Sequence, residues 1–305
     1  MDVYLVQPRG FCAGVRRALA IVQQTLVQYG APIYVRHEIV HNKHIIDDLR
    51  QQGVIFVDEL DDVADKTRPV ILSAHGVPQK VYQEAKQQNL QVIDATCPLV
   101  EAVHHQIKKL EDDGDNIIVI GKREHPEILG TVGQLKQPEQ ACVVSNIAEI
   151  ENIKINKDQA VGIVTQTTLS VDDTKEMIAA LKQKFPHLKN AKQANVCFAT
   201  TNRQKAIREL VKKTGYILVI GSKNSSNSKH LREVALHYGA KQARLIDDAS
   251  EILWSELDKC ASIGITAGAS APEYLVEDLI KSLQQHYGNI NIYDVIVTQE
   301  DTCFK

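Results

Sequence analysis

The chain alternates short continuous apolar runs with longer stretches whose apolar positions recur every three to four residues. Strands buried on both faces and amphipathic helices read this way along a sequence. Residues 3–6 (VYLV) predict a strand and 15–29 a helix, with Val15, Ala18, Leu19, Val22 and Leu26 at helical spacing. Further strands are predicted over 32–36, 54–57, 69–72 and 91–93, with one helix ending at Gln51 and another over 79–88. The pattern continues with a helix over 99–112, strands over 116–120, 141–144 and 160–164, and a helix ending at Phe185. Helices over 202–213, 229–238 and 273–286 then alternate with strands over 216–220 and 261–265. Strands that alternate with helices build parallel sheets, so the fold class is α/β. Many of these strands run into polar turns, where open α/β sheets place ligand groups.

Three turns each carry a cysteine just before a helix: Gly10-Phe11-Cys12-Ala13-Gly14, Ala95-Thr96-Cys97-Pro98 and Asn195-Val196-Cys197-Phe198. Glycines free the backbone around Cys12, Pro98 sits where a helix tolerates a missing N–H, and the positive end of a helix favours thiolate over thiol. One such cysteine is more often a small core filler. Here the arrangement recurs. Cys12 precedes His41 by 29 residues, Cys97 precedes His125 by 28, and Cys197 precedes Ser225 by 28. A second polar loop follows at His75, Thr167 and Ser270, respectively 63, 70 and 73 residues after the cysteine. This spacing predicts three pseudo-symmetric α/β lobes, trefoil-like around a central cavity. The lobes are 1–95 with Cys12, 96–194 with Cys97 and 195–286 with Cys197, and the segment 287–305 packs back on the first. Three convergent thiolates suit an iron–sulfur cluster with one iron lacking a protein ligand, or a zinc ion with an open fourth position. Cys142, Cys260 and Cys303 fall outside the repeat and read as core or surface residues.

Composition narrows the field. With 35 Lys+Arg against 38 Asp+Glu the net charge is −3, which argues against a nucleic-acid surface or a basic membrane patch. The start MDVYLVQPRG lacks the pattern of a leader, and no apolar run approaches the ~18 residues a membrane span needs, so a cytoplasmic location is expected. The six cysteines include no CxxC pair, which disfavours a zinc ribbon or a thioredoxin-like motif. There is no GxGxxG fingerprint and no P-loop, so any electrons come from outside the chain.

The polar loops display His41, His75, His125, Thr167, Thr168, Ser225, Ser226, Asn227 and Ser270. These are neutral or weakly basic donors, suited to wrapping a phosphate or diphosphate without a lysine or arginine clamp. The plainer reading of Asn227 or Ser228 is a helix N-cap, and both readings can hold together. The remaining histidines read as structural. In His125-Pro126-Glu127 the proline stiffens the turn, so Glu127 is either a proton donor held beside an imidazole or a glutamate favouring a helix start.

These motifs, in order, resemble the family of 4-hydroxy-3-methylbut-2-enyl diphosphate reductases (IspH/LytB), which act last in the non-mevalonate isoprenoid pathway. The resemblance rests on GFCAGV, YVRHEIVHN, SAHGV, DATCPLV, the HPE of residues 125–127, TQTTLSVDDT, CFATTNRQ, GSKNSSNS and TAGASAP, and it runs from residue 1 to about 300. It implies a 4Fe–4S cluster, one per chain, held by Cys12, Cys97 and Cys197, with a unique iron that binds the substrate hydroxyl. Two electrons and two protons would remove that hydroxyl as water, giving isopentenyl and dimethylallyl diphosphates. Glu127 would be the proton donor, with Thr167 and His125 beside it. His41, His75, Ser225, Ser226, Asn227 and Ser270 would hold the diphosphate. A reduced ferredoxin or flavodoxin would supply electrons. Family members commonly continue past the position of Lys305 in a short tail that helps cover the cavity, and no appended RNA-binding domain is expected. Two other classes fit the thiols alone: a non-enzymatic iron–sulfur sensor, which needs neither Glu127 nor the threonines, and a colourless zinc enzyme acting on phosphorylated substrates.

Overall fold

The computed structural model describes residues 1–156, 158–189 and 195–304, and the apolar runs form three parallel sheets. The first part of the chain forms β1 (Asp2–Gln7), α1 (Ala13–Tyr29), β2 (Ile33–Arg36), α2 (Lys43–Gln51), β3 (Val54–Val57), β4 (Val70–Leu72), α3 (Gln79–Gln87) and β5 (Val92–Asp94). Then come α4 (Pro98–Asp112), β6 (Asn116–Ile120), α5 (Pro126–Val132), β7 (Cys142–Val144), α6 (Ile147–Glu151), β8 (Val161–Thr165), α7 (Val171–Lys184) and β9 (Leu188–Lys189). The last part forms α8 (Phe198–Leu210), β10 (Tyr216–Ile220), α9 (Ser226–His237), β11 (Gln242–Ile246), α10 (Trp254–Leu257), β12 (Ser262–Ala267), α11 (Glu273–Tyr287) and β13 (Asn291–Ile296). Among the described residues, no helix is long and apolar enough to cross a membrane.

The chain divides into two compact units. One comprises Met1–Arg16, His41–Asp47 and Phe198–Cys303. It is built on the sheet β11-β10-β12-β1-β13. Tyr216, Leu218 and Ile220 of β10 pack with Leu275, Val276, Leu279 and Leu283 of α11. The alternate residues Ile217 and Val219 pack with Ala206, Ile207 and Leu210 of α8 and Leu231 and Val234 of α9. Both faces are covered, so every residue of β10 is buried and the strand shows no polar alternation. Each such aliphatic side chain contributes about 1.5–3 kcal/mol.

The first strand departs from the sequence boundaries. β1 pairs in parallel with β12 and with β13, in register from Asp2 against Asn291 to Gln7 against Ile296. The span 1–95 is therefore not one sheet: the turn carrying Cys12 hangs from the sheet of residues 216–296. Parallel pairing needs a crossover, so a strand's partner is not dictated by sequence neighbourhood, and an apolar run reads the same in any doubly covered sheet. The boundary expected after residue 194 falls at 190–194, outside the described residues.

The second unit, chiefly Arg17–Val40 and Asp48–Cys197, holds two four-stranded sheets, β3-β2-β4-β5 and β7-β6-β8-β9. On the former, Val81 and Ala85 of α3 cover Tyr34, Val70 and Leu72. On the latter, Met177, Ile178 and Leu181 of α7 cover Ile118 and Ile163 on one face, while Val103, Ile107 and Leu110 of α4 cover Ile117 and Val164 on the other. Helix α5 joins the two halves of this unit at their loop ends. The Gln79 N–H donates to Gly133 O at 2.8 Å and Gln134 Nε2 donates to Val77 O at 2.6 Å. A Cβ on Gly130 would lie 2.9 Å from Gly76 O.

In the first unit, a buried cation ties the turn before Cys12. Arg203 of α8 is 1% exposed; it donates from Nη2 and Nε to Gly10 O at 2.7 and 3.2 Å, and from Nη1 to Glu300 Oε2 at 3.0 Å. Gly10 has φ +67°, and a Cβ there would meet Ala271 O at 3.3 Å, so the turn requires glycine. Removing the carboxylate would strand a buried guanidinium. Glu300→Ala is expected to destabilise this unit by about 3–5 kcal/mol, read as a lowered urea midpoint, with Glu300→Gln losing less. An unchanged midpoint for both variants would show that the pair contributes nothing.

Candidate functional site

The predicted donors of the first unit lie on loops at one end of its sheet. Cys12 is half-buried just before α1, its N–H donating to Ala269 O at 3.1 Å. The loop after β12 also meets the His41 segment, through Ser270 Oγ donating to His41 O at 2.9 Å. The Lys43 N–H donates to Ser222 Oγ at 3.0 Å, bringing the loop after β10 to the same place.

Helix α9 starts three residues earlier than its apolar pattern predicts. Ser225, not Asn227 or Ser228, is the N-cap, accepting from the Ser228 N–H at 3.3 Å. An all-polar first turn carries no apolar period, so the start was invisible to spacing. Ser226 and Asn227 therefore lie in the first helical turn, and both are buried. Neither amide atom of Asn227 has a partner among the described residues, and its Nδ2 would sit 3.5 Å from a Cβ on Gly268. A buried primary amide with no internal partner is costly unless a ligand satisfies it. Here it stands in the first turn of α9, in a set of neutral donors suited to anionic oxygens.

In the second unit, Cys97 is the N-cap residue of α4 and its N–H donates to Ala74 O at 3.0 Å, beside His75. Cys197 precedes α8 and its N–H donates to Thr167 O at 3.0 Å. The rings of His75 and His125 meet edge to face with centroids 6.0 Å apart. His125 caps α5, its Nδ1 accepting from the Glu127 N–H at 3.2 Å, which leaves Nε2 to carry the proton of the neutral ring. Glu127 is 2% exposed. Its Oε1 accepts from the Thr167 N–H at 2.6 Å and its Oε2 from Thr167 Oγ1 at 3.0 Å. Burial pushes the carboxyl up to about 7, against the pull of the two Thr167 donors. Thr168 Oγ1 accepts from Gln166 Nε2 at 2.9 Å, while Gln166 Oε1 takes the Lys122 N–H at 3.2 Å.

Sequence reasoning missed Gln166, which clamps the Thr167 loop to the loop after β6; a glutamine between threonines carries no signal of that role. It also missed Asn42, whose Oδ1 takes the Ile45 N–H at 3.2 Å and caps α2 beside His41. His104, buried with its pKa lowered to about 4 by desolvation, backs the His75 turn: a Cβ on Gly76 (φ +75°) would lie 2.5 Å from its Cε1. His44 meets Asp248 at 2.9 Å, His230 meets Glu233 at 2.7 Å and His286 meets Asp258 at 3.1 Å. None of the six cysteines is in a disulfide among the described residues; Cys142 lies on β7, Cys260 follows α10 and Cys303 is exposed. Among the described residues, no three His, Cys, Asp or Glu side chains are gathered as they would be around a single metal ion.

Parallel α/β sheets, cysteines at helix starts, a buried protonatable carboxyl and loops of neutral hydrogen-bond donors define a class of α/β proteins suited to anionic small molecules. The particular family follows from similarity. The model of the LytB protein family matches residues 3–284, and the chain belongs to that family. It is 49% identical to a 4-hydroxy-3-methylbut-2-enyl diphosphate reductase of Haemophilus ducreyi, covering 100% of this chain and 96% of that one. It is 46% identical to the protein of the same name from Ruegeria pomeroyi, again over 100% and 96%. Among solved structures, it resembles the E-1-hydroxy-2-methyl-but-2-enyl-4-diphosphate reductase of Plasmodium falciparum with a TM-score of 0.93 at 34% identity, covering 98% of this chain and 93% of that one. A second, described as (E)-4-hydroxy-3-methyl-but-2-enyl diphosphate reductase, the terminal enzyme of the non-mevalonate pathway, matches with a TM-score of 0.67 at 28% identity, over 93% and 100%.

The Glu127 environment is testable without any substrate. Thr167→Val removes one of the two donors that hold the carboxylate down, so the carboxyl should titrate above the wild-type value of about 7. A protonated C=O stretch followed by infrared difference spectroscopy against pH reads this directly. A shift downward, or none, would remove the hydroxyl from the account.

Proposed function

We propose that this chain is a 4-hydroxy-3-methylbut-2-enyl diphosphate reductase. It catalyses reductive dehydroxylation to isopentenyl and dimethylallyl diphosphates, the last step of the non-mevalonate pathway. The full-length relatives and the matching fold support the reading. The observation that carries it is the buried Glu127 carboxyl, which holds a proton near neutral pH in a loop cluster that also contains two candidate ligand thiols.

The family uses an iron–sulfur cluster. We assign its ligands here to Cys12, Cys97 and Cys197 and its type to 4Fe–4S with one iron lacking a protein ligand. The donor set fits: each is a half-buried thiol outside any disulfide, placed at the start of a helix. When bound, such a cluster supplies electrons one at a time and a Lewis-acidic site for a hydroxyl oxygen. The overall change takes the substrate, two electrons and two protons to product and water.

Glu127 provides the proton for the departing hydroxyl. When its carboxyl is protonated, the bond to Thr167 runs in reverse, with Oε2 donating to Thr167 Oγ1, so the threonine can orient or relay the proton. His125 holds the start of α5 that positions Glu127, and its Nε2–H faces away from that cap. The diphosphate falls to His41, His75, Ser225, Ser226, Asn227 and Ser270, with Thr168 beside them. The unpartnered amide of Asn227 and the N–H groups of α9 donate to its oxygens. A reduced ferredoxin or flavodoxin supplies the electrons, and the enzyme works in the cytoplasm.

Anaerobic purification should yield a brown protein with about four irons and four sulfides per chain. Glu127→Gln should lower turnover by about 10²–10⁴-fold while leaving the visible spectrum intact. A colourless chain that cannot be reconstituted with iron and sulfide would sink this reading. The wild-type rate should also fall as pH rises through about 7, where Glu127 loses its proton. The folded-state pKa of this carboxyl lies above its unfolded value, so the folded chain holds the extra proton between about 4.5 and about 7 and stability falls across that window. E127Q should flatten that slope in denaturant midpoints, and an unchanged slope would place the titration elsewhere.

A further inference from the structure

Within the first unit, a groove of about 440 Å³ opens beside the Cys12 turn, and none of the roles above uses it. Arg9, Phe11, Arg16, Arg203, Ile296 and Glu300 are among its lining residues. Its charges are unequally compensated. Arg203 is paired with Glu300 at 3.0 Å and Arg9 with Glu273 at 2.6 Å. Arg16 is exposed, held by Nη1 donating to Phe11 O at 2.6 Å, and forms no ion pair among the described residues. The rim therefore presents uncompensated positive charge on a chain whose net charge is −3. Beside it lies apolar surface: Ile296, at the end of the edge strand β13, is 75% exposed, and Phe11 is half-buried. An aromatic ring, an aliphatic anchor and an available arginine are the composition of an interaction surface rather than of a solvated edge.

Phe11 lines the groove and is bonded in the chain to Cys12, and Arg16 is fastened to the Phe11 carbonyl. A redox protein seated here would bring its own centre close to that thiol. We propose that this groove is the docking surface for the electron carrier, a small acidic one-electron protein whose carboxylates meet Arg16 and whose apolar contact covers Phe11 and Ile296. The inference rests on the reductase reading and on Cys12 as a cluster ligand. An overall negative chain repels an acidic carrier at long range, so a local positive rim is what steers it. A compact groove also suits the small, short-lived interfaces of electron-transfer partners. Each docking passes one electron. Two reduced carriers are oxidised per substrate reduced, one C–O bond breaks, one C–H bond forms, and of the two protons one leaves in water and one stays in the product.

The test uses the cluster-loaded full chain, Arg16→Glu and Ile296→Glu, and an acidic 2Fe–2S ferredoxin as probe. Both positions are exposed, so neither substitution should disturb the core. Calorimetry with oxidised ferredoxin reads affinity, and stopped-flow absorbance with reduced ferredoxin reads the second-order reduction rate. Each variant should weaken binding and slow reduction by about tenfold or more, while turnover driven by dithionite stays within about twofold of wild type. Raising salt should weaken the wild-type complex and have less effect on R16E. Ferredoxin affinity and rates equal to wild type in both variants would overturn the proposal, as would an equal loss with dithionite. A wild-type chain without a cluster or dithionite turnover would instead count against the reductase reading, and calorimetry would still decide whether ferredoxin binds at this groove.

Discussion

A carboxyl group removed from water keeps its proton unless its surroundings replace the lost solvation, and the loops of the second unit are arranged around one such group. Glu127 sits at the start of α5, 2% exposed, with the Thr167 N–H and hydroxyl as its donors. Two good donors to a carboxylate would ordinarily lower its pKa, yet desolvation wins and the carboxyl rises from 4.5 to about 7. That difference corresponds to about 3 kcal/mol favouring the neutral form. The rest of the local architecture keeps the balance in place. His125 caps α5, Gln166 clamps the Thr167 loop to Lys122, and α5 is pressed onto the turn after β4 so closely that Gly130 has no room for a side chain. The same loop carries the carbonyl that accepts from Cys197. The buried carboxyl and the Cys197 turn are thus both tied to Thr167.

Much of this could be read from the sequence because strands covered on both faces leave a plain signature. The runs at 116–120 and 216–220 became β6 and β10 with identical bounds, and Pro98 starts α4 as its chemistry requires. The three cysteine turns were visible for a related reason: each is a strand, a short turn and a helix, and the cysteine marks the junction. Elements that lack apolar contrast were not legible. β13 is exposed along nearly its whole length, and β11 begins on a glutamine; each is a strand because a neighbour offers its backbone, which no local pattern records. The helix start at Ser226 was hidden by an all-polar first turn.

The pairing of β1 was illegible for a different reason. Its apolar run is correct for a covered strand but carries no address, and the chain uses it to close a sheet whose other members lie more than 200 residues later. The consequence is functional. A turn hung from the sheet of β10, β12 and β13 is positioned by the same strands whose ends bear Ser225, Asn227 and Ser270, so Cys12 and these polar loops share one rigid frame. Arg203 reinforces that frame by holding Gly10 to the segment after β13.

The two kinds of donor in the first unit are also kept apart. Toward α9 the polar groups are neutral and buried: serines, an asparagine amide and helix N–H groups. Toward the groove at Phe11 the groups are guanidinium ions, most already matched by carboxylates. A buried fixed cation would grip a diphosphate product as firmly as the substrate, and binding both equally brings no acceleration of the chemical step. Neutral donors on a rigid frame recognise the same oxygens by direction, with less long-range attraction holding the product back. Exposed cations are better suited to an association that must be fast, weak and repeated, since their pull is screened by salt and relaxed on separation. The distribution of charge across this unit therefore agrees with the diphosphate site proposed at α9 and the carrier groove proposed at Phe11.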